Sequence, residues 1–207
     1  LSRKKIENER YLFLPEKILN KSVKELIKTK IPELNTEIIH PRTTRVIFVN
    51  NDFLRKLIII QKFENQSVLI NGGDLENLKI LFKSDNNIPI DNSNFQRLNK
   101  RGLSGCLNIY KAKLENASIE VEGGKCEDSL NIVSSSGNIN NLNISNAFSD
   151  ALDLDFSNIF IKNISIKNAG NDCLDVSSGS YFISNAYLEN CFDKAISIGE
   201  KSIFNAN

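Results

Sequence analysis

Ala151-Leu-Asp-Leu-Asp155 and Cys173-Leu-Asp-Val-Ser177 are one five-residue phrase written twice, 22 residues apart. The same phrase opens 22 residues earlier as Ser129-Leu-Asn-Ile-Val133 and 22 later as Ala195-Ile-Ser-Ile-Gly199. A further copy, Cys106-Leu-Asn-Ile-Tyr110, sits 23 residues before the first of these. Each copy alternates apolar and polar residues, the pattern of a short strand with one buried face. The inward pairs this predicts are Leu107/Ile109, Leu130/Ile132, Leu152/Leu154, Leu174/Val176 and Ile196/Ile198.

A second phrase recurs between the copies: Ile139-Asn-Asn-Leu-Asn-Ile-Ser-Asn-Ala147, Ile161-Lys-Asn-Ile-Ser-Ile-Lys-Asn-Ala169 and Ile183-Ser-Asn-Ala-Tyr-Leu-Glu-Asn-Cys191. It places Asn at 141, 163 and 185, and again at 146, 168 and 190. About 22 residues with two or three short strands per repeat predict an all-β fold, a right-handed parallel β-helix. A leucine-rich repeat has a similar period but needs a Leu-x-x-Leu-x-Leu consensus and a helical leg, and neither is present. Asn suits one fixed place per coil because it tolerates a left-handed turn and its amide can bond to the coil above and below. Coils stacked about 4.8 Å apart turn such amides into a ladder.

Upstream, Ser67-Val-Leu-Ile-Asn71, Gly72-Gly73 and the Leu75 segment read as a first coil, so the β-helix is expected over residues 64–207. Residues 83–101 read as a polar loop inserted into it. Residues 1–63 are expected to form an N-terminal cap. In it, residues 15–30 read as an amphipathic helix with Ile18, Leu19, Val23, Leu26 and Ile27 on one face, ended by Pro32. Arg45–Val49 and Leu57–Ile60 read as strands.

Composition narrows the classes. The chain has 207 residues, 41% hydrophobic and 25% charged, enough for a packed core. A net charge of +1 argues against a nucleic-acid protein as a whole. The longest apolar run, Leu57–Ile60, is far short of the roughly 18 residues of a membrane span. The charge divides unevenly: residues 1–63 carry 14 Lys/Arg against 7 Asp/Glu, a net +7, and the remainder carries 12 against 18, a net −6. The basic part reads either as a solvated cap or as a patch for an anionic partner. No secretory leader is visible, and a chain opening on Leu1 reads as a fragment.

The stretch Phe148–Gly199 resembles the polygalacturonase-type glycoside hydrolases of the pectin-lyase-like β-helix superfamily. The residues that carry the likeness are Phe-Ser-Asp150-Ala-Leu-Asp153, Ala-Gly-Asn171-Asp172-Cys-Leu-Asp175 and Asn-Cys-Phe-Asp193-Lys194-Ala-Ile-Ser-Ile-Gly199. They are similar to the family motifs Asn-Thr-Asp-Gly-Ile-Asp, Gly-Asp-Asp-Cys and Gly-His-Gly-Ile-Ser-Ile-Gly. The resemblance implies that Asp150 and Asp172 hold motif carboxylate positions. Asn171 stands where the family has its general acid, Asp193-Lys194 stands at the His position, and no Arg-Ile-Lys follows. It also implies an extracellular or cell-surface setting and a polysaccharide partner.

Read on their own, Asp128, Asp150 and Asp172 precede successive strands and should stack on one edge, with Asp153 and Asp175 outward on adjacent strands. Three arrangements are open: a proton-sharing pair fit for glycosidic acid–base chemistry, a Ca²⁺ held among the oxygens, or turn caps that accept backbone N–H bonds. Lys194 beside Asp193 would neutralise part of the stripe. Lyase chemistry is the weaker expectation, since no Arg follows Arg101. Cys106 and Cys126, and Cys173 and Cys191, are spaced by nearly one coil and read either as disulfides or as buried thiols. The site expected is therefore Asp150, Asp172 and Asp193 as catalytic carboxylates, with Asp153, Asp175, Asn171 and Lys194 contacting a glycan. The alternative is a non-catalytic surface, adhesion or structural solenoid.

Overall fold

A computed structural model describes residues 9–11, 25–63, 66–84 and 97–206. The chain is all-β and winds as a parallel β-solenoid of about six turns, roughly 23 residues each. Short strands Gly105–Tyr110, Asp128–Val133, Asp150–Asp155, Leu174–Ser177 and Ile196–Ile198 stack in parallel as one sheet. Longer strands Lys113–Glu122, Ser136–Ala147, Asn158–Ala169, Ser180–Cys191 and Ile203–Ala206 form the other. The register is the one the repeats predict. Leu107, Leu130, Leu152, Leu174 and Ile196 form one column, and Ile109, Ile132, Leu154, Val176 and Ile198 the next. From Leu107 to Val176 every member is 0% exposed. Each such Leu or Ile contributes about 1.5–3 kcal/mol of transfer free energy.

Both Asn columns are hydrogen-bonded ladders. Asn163 donates to Asn141 and Asn185 to Asn163, at 3.1 and 3.2 Å. Asn168 donates to Asn146 and Asn190 to Asn168, at 3.0 and 2.9 Å. The second column also turns the chain: Asn146, Asn168 and Asn190 all have left-handed φ, between 56° and 60°. At the opposite corner Lys111, Ser134, Phe156, Ser178 and Lys201 adopt the same conformation, which no turn signal announces. The backbone N–H of each of the first four bonds to a carbonyl of the following coil. Behind that corner Ser135 and Ser157 are buried and their hydroxyls accept from Ala112 N and Ser135 N. One coil on, Gly179 has no hydroxyl, and the Tyr181 phenol moves into the gap to accept from Ser157 N and donate to backbone carbonyls.

At the N-terminal end the expected helix is corrected. Leu26–Ile31 is a strand, antiparallel to Thr36–Pro41, which in turn pairs antiparallel with Val68–Asn71. Its burial alternates with period two, the β-branched Ile27, Thr29 and Ile31 on the less exposed side, and Lys28 pairs with Glu37 at 2.9 Å. Ile18, Leu19 and Val23 lie outside the described residues. The strands expected at 45–49 and 57–60 are present as Arg45–Asn51 and Leu54–Gln61, an antiparallel pair. The second of them continues the long-strand sheet by pairing in parallel with Lys79–Ser84, so Lys83 and Ser84 belong to a strand rather than to the insertion. Residues 85–96 of the insertion lie outside the described residues. No helix among the described residues is long and apolar enough to cross a membrane.

Of the two cysteine readings, the structure has the disulfides: Cys106–Cys126 and Cys173–Cys191, closing loops of 20 and 18 residues with Cα atoms 5.4 and 5.3 Å apart. A loop of that size restrains the unfolded chain by about 3 kcal/mol. Replacing Cys173 and Cys191 together by Ser is expected to lower the stability in urea by about that amount. Reducing agent should then change the double variant less than the parent.

Candidate functional site: the carboxylate edge

The short-strand sheet sets the carboxylates in register. Asp128 stands opposite Asp150, and Asn131, Asp153, Asp175 and Ser197 form one column across four strands. That column is less open than its outward parity suggests. Asn108 and Asn131 are buried, and the Asn108 amide curls back to donate to the carbonyls of Gly105 and Val68 while accepting from Gly105 N.

Asp150 and Asp172 lie at the corner and are buried too. Asp150 Oδ1 accepts from Asp172 N at 2.8 Å and from Asn171 Nδ2 at 2.7 Å. One coil on, Asp172 Oδ1 accepts from Lys194 N at 2.9 Å. The Lys194 ammonium lies 3.4 Å from Asp172 Oδ2 and also bonds Asp193. The Asp193 hydrogen bond is the main reason its pKa stands above the ordinary lysine value. The structure thus brings Asp150, Asn171, Asp172, Asp193 and Lys194 into one chain of contacts running up the corner. Each buried carboxylate accepts from the backbone of the coil above it.

A second group forms around Asp153. Asn131 Nδ2 donates to Asp153 Oδ2 and Asp155 Oδ2, each at 3.2 Å. Burial, reinforced by the charges of Asp128 and Asp155 and by a hydrogen bond to Asp155, pushes the Asp153 pKa up to about 9. Asp128 is pushed up to about 7, chiefly by burial, against a bond from Ser104. Its Oδ2 is buried and has no hydrogen-bond partner among the described residues. Asp175 is raised as well, mainly by burial, with a Ser197 bond opposing. Burial and the neighbouring carboxylates thus favour the protonated form of Asp153, which is hydrogen-bonded to Asp155. The importance of Asp128, Asp155 and Asn131 was not evident from the motifs. The 22-residue spacing of Asp128 and Asp150 shows that they are neighbours, but nothing in the spacing shows the burial that sets their chemistry. Among the described residues no three His, Cys, Asp or Glu side chains converge to hold a metal ion.

Compared with known proteins, the chain matches no protein-family model, no curated protein and no solved structure. The class defined by the fold and this edge is a parallel β-solenoid with Asn and Asp side chains bonded from coil to coil.

Proposed function

We propose that this protein is a non-catalytic solenoid module of a surface or structural kind, in which the aspartates at the corner build turns. One observation carries the reading. Asp150 and Asp172, which occupy the motif positions of a polygalacturonase-type enzyme, are buried and bound to amides of the next coil. A carboxylate held this way is occupied as a turn cap. The two disulfides support an oxidising, extracellular or cell-surface setting. The pectin-lyase-like resemblance adds support for a rigid, extended scaffold.

A second reading, glycoside hydrolysis on the acidic sheet, draws on the protonated Asp153 beside Asp155 and Asp128, since that chemistry needs one acidic and one ionised carboxyl. A reducing-sugar assay on polyuronides and neutral glycans separates the two, using the parent, Asp150→Asn, Asp172→Asn and Asp153→Asn. The expected result is no release by any of the four. Asp150→Asn and Asp172→Asn should also each lose about 1–3 kcal/mol of stability, because a neutral amide oxygen accepts the N–H bonds of the next coil more weakly than a carboxylate oxygen does. Sugar release by the parent that disappears in a variant with unchanged circular dichroism would overturn the module reading.

A further inference from the structure

The segment Arg97–Ser104, which leads into the strand Gly105–Tyr110, is a turn built on one side chain. Asn99 Oδ1 accepts from Arg101 N at 2.8 Å and from Leu103 N at 3.2 Å. The Asn99 backbone closes the same turn, its N–H donating to the Leu103 carbonyl and its carbonyl accepting from Gly102 N. The segment is thus held together as one body. It is tied to the solenoid by polar bonds. Asn99 Nδ2 donates to Ser67 Oγ at 3.0 Å, Arg97 pairs with Glu127 at 2.8 Å, and Asp128 N donates to the Ser104 carbonyl at 3.3 Å. The Ser104 hydroxyl bonds the Asp128 carboxyl. No residue of the segment belongs to the hydrophobic core, and Leu98, Lys100 and Arg101 are exposed. Beyond it the chain is fixed at once: the Asn108 side chain bonds both the N–H and the carbonyl of Gly105. A segment so placed opens at a small part of the free energy of global unfolding.

We infer that Arg97–Ser104 is a proton-operated strap, closed on the carboxylate edge while Asp128 carries a proton and swung away about Gly105 when that carboxyl is charged. The geometry supplies the reason. Asp128 is 2% exposed, and its Oδ2 is buried with no hydrogen-bond partner among the described residues. Glu127, Asp150, Asp153 and Asp155 all act on it with like charge. Arg97, the cation the strap brings to this edge, is taken up by Glu127. A neutral carboxyl tolerates that setting, whereas a charged one needs donors for both oxygens. The Ser104 hydroxyl is one donor, and lifting the strap admits water as the others. The sign follows from burial. Closed, the Asp128 pKa is raised to about 7, chiefly by burial; lifted, that cause is gone and the value falls back towards 3.8. The closed form therefore holds the proton more tightly. Closure is complete below about 7 and weakens about tenfold per pH unit above it. Asp153 is raised further still, so near neutrality Asp128 is the group that changes. This concerns access to the edge and stands whether the edge is structural or catalytic.

The test is amide hydrogen exchange of the intact chain from pH 6 to pH 8.5, corrected for the intrinsic rate at each pH. The amides of Arg101, Gly102 and Leu103 should exchange at least about a hundredfold faster than that of Leu130 inside the sheet. Their opening should rise about thirtyfold across the range. In Asp128→Asn it should be flat, since that side chain has no charge to gain. Ser104→Ala removes a bond that favours the charged carboxyl, so the rise should begin at higher pH. That variant leaves Asp128 in place and decides the matter even where Asp128→Asn does not fold. The inference is overturned by any of four results: strap amides that exchange no faster than Leu130, an opening in the parent that does not change with pH, the same response in Asp128→Asn as in the parent, or an unmoved onset in Ser104→Ala.

Discussion

Raising the pH from 6.5 to 9 is expected to lower the stability of this protein by about 3 kcal/mol, or a melting temperature lower by about 6–12 °C. Asp153 keeps its proton to about pH 9 in the fold, while in the unfolded chain it releases it near 3.8. Between those values the native state binds more protons than the unfolded one. Stability therefore falls as pH rises and levels off above about 9. Asp128 adds to the slope up to about 7. The window is chosen to isolate these groups. Burial lowers the pKa of His40, which costs stability as pH falls below 6.5, and Tyr181 and Lys194 titrate above 9. Calorimetry at pH 6.5, 7.5 and 9 measures the slope. Asp153→Asn supplies an uncharged side chain of the same shape that still bonds Asp155, so it should flatten most of the dependence and be more stable than the parent at pH 9. An unchanged slope in that variant would remove the Asp153 assignment.

The substitution of Gly137 by Ala is expected to be the most damaging single-methyl change in the solenoid, costing more than about 4 kcal/mol and leaving little folded protein. Gly137 pairs with Leu114 below and Ile159 above, so it lies inside the long-strand sheet. Its φ is 121°, a conformation open to Gly alone among common residues. A Cβ there would stand 1.7 Å from the Leu114 carbonyl oxygen, about half of an ordinary contact. The strand has little room to yield, because Ser136–Ala147 pairs with Asn158–Ala169 along nearly its whole length and with Lys113–Glu122 on either side of a register shift beside Gly137. Gly102→Ala is the control: its φ is 73° and nothing lies within 4 Å of the added carbon. It should cost only the backbone strain of about 1–2 kcal/mol. Urea unfolding of both variants checks the contrast, and comparable midpoints would mean that the coils slide past one another more freely than their register implies.

The columns of Leu and Ile could be read directly from the repeats because side-chain alternation and a constant period leave one way to stack them. The Asn ladders were readable for the same reason. Other features depend on contacts between coils that a spacing does not reveal. The left-handed conformation of Lys111, Ser134, Phe156 and Ser178 comes with a backbone bond from each to the following coil, a contact that no local turn signal announces. The phenol of Tyr181 standing in for a serine hydroxyl at Gly179 is visible only in three dimensions. Residues 26–30 of the expected helix are strand because Leu26 and Ile27 fit either period, and pairing with Thr36–Pro41 decided it. At the carboxylate edge the spacing put Asp150 above Asp128 and Asp172 near Asp150, but not their burial or the backbone amides that hold them. The roles expected for Asp150 and Asp172 as acid and base rested on those unseen features.

The constancy of the repeat makes the height of this molecule adjustable in whole steps. If residues 150–171 were excised, Asp172 would follow Ser149 and face Asp128, Leu174 would rest on Leu130, and Asn190 would meet Asn146. Both disulfides would survive, since each closes within a span outside the cut. A tandem duplication would work in the opposite sense, adding a storey while every lateral surface keeps its chemistry. Such a chain can change its reach by slippage of its gene alone, with no compensating substitution in the interior.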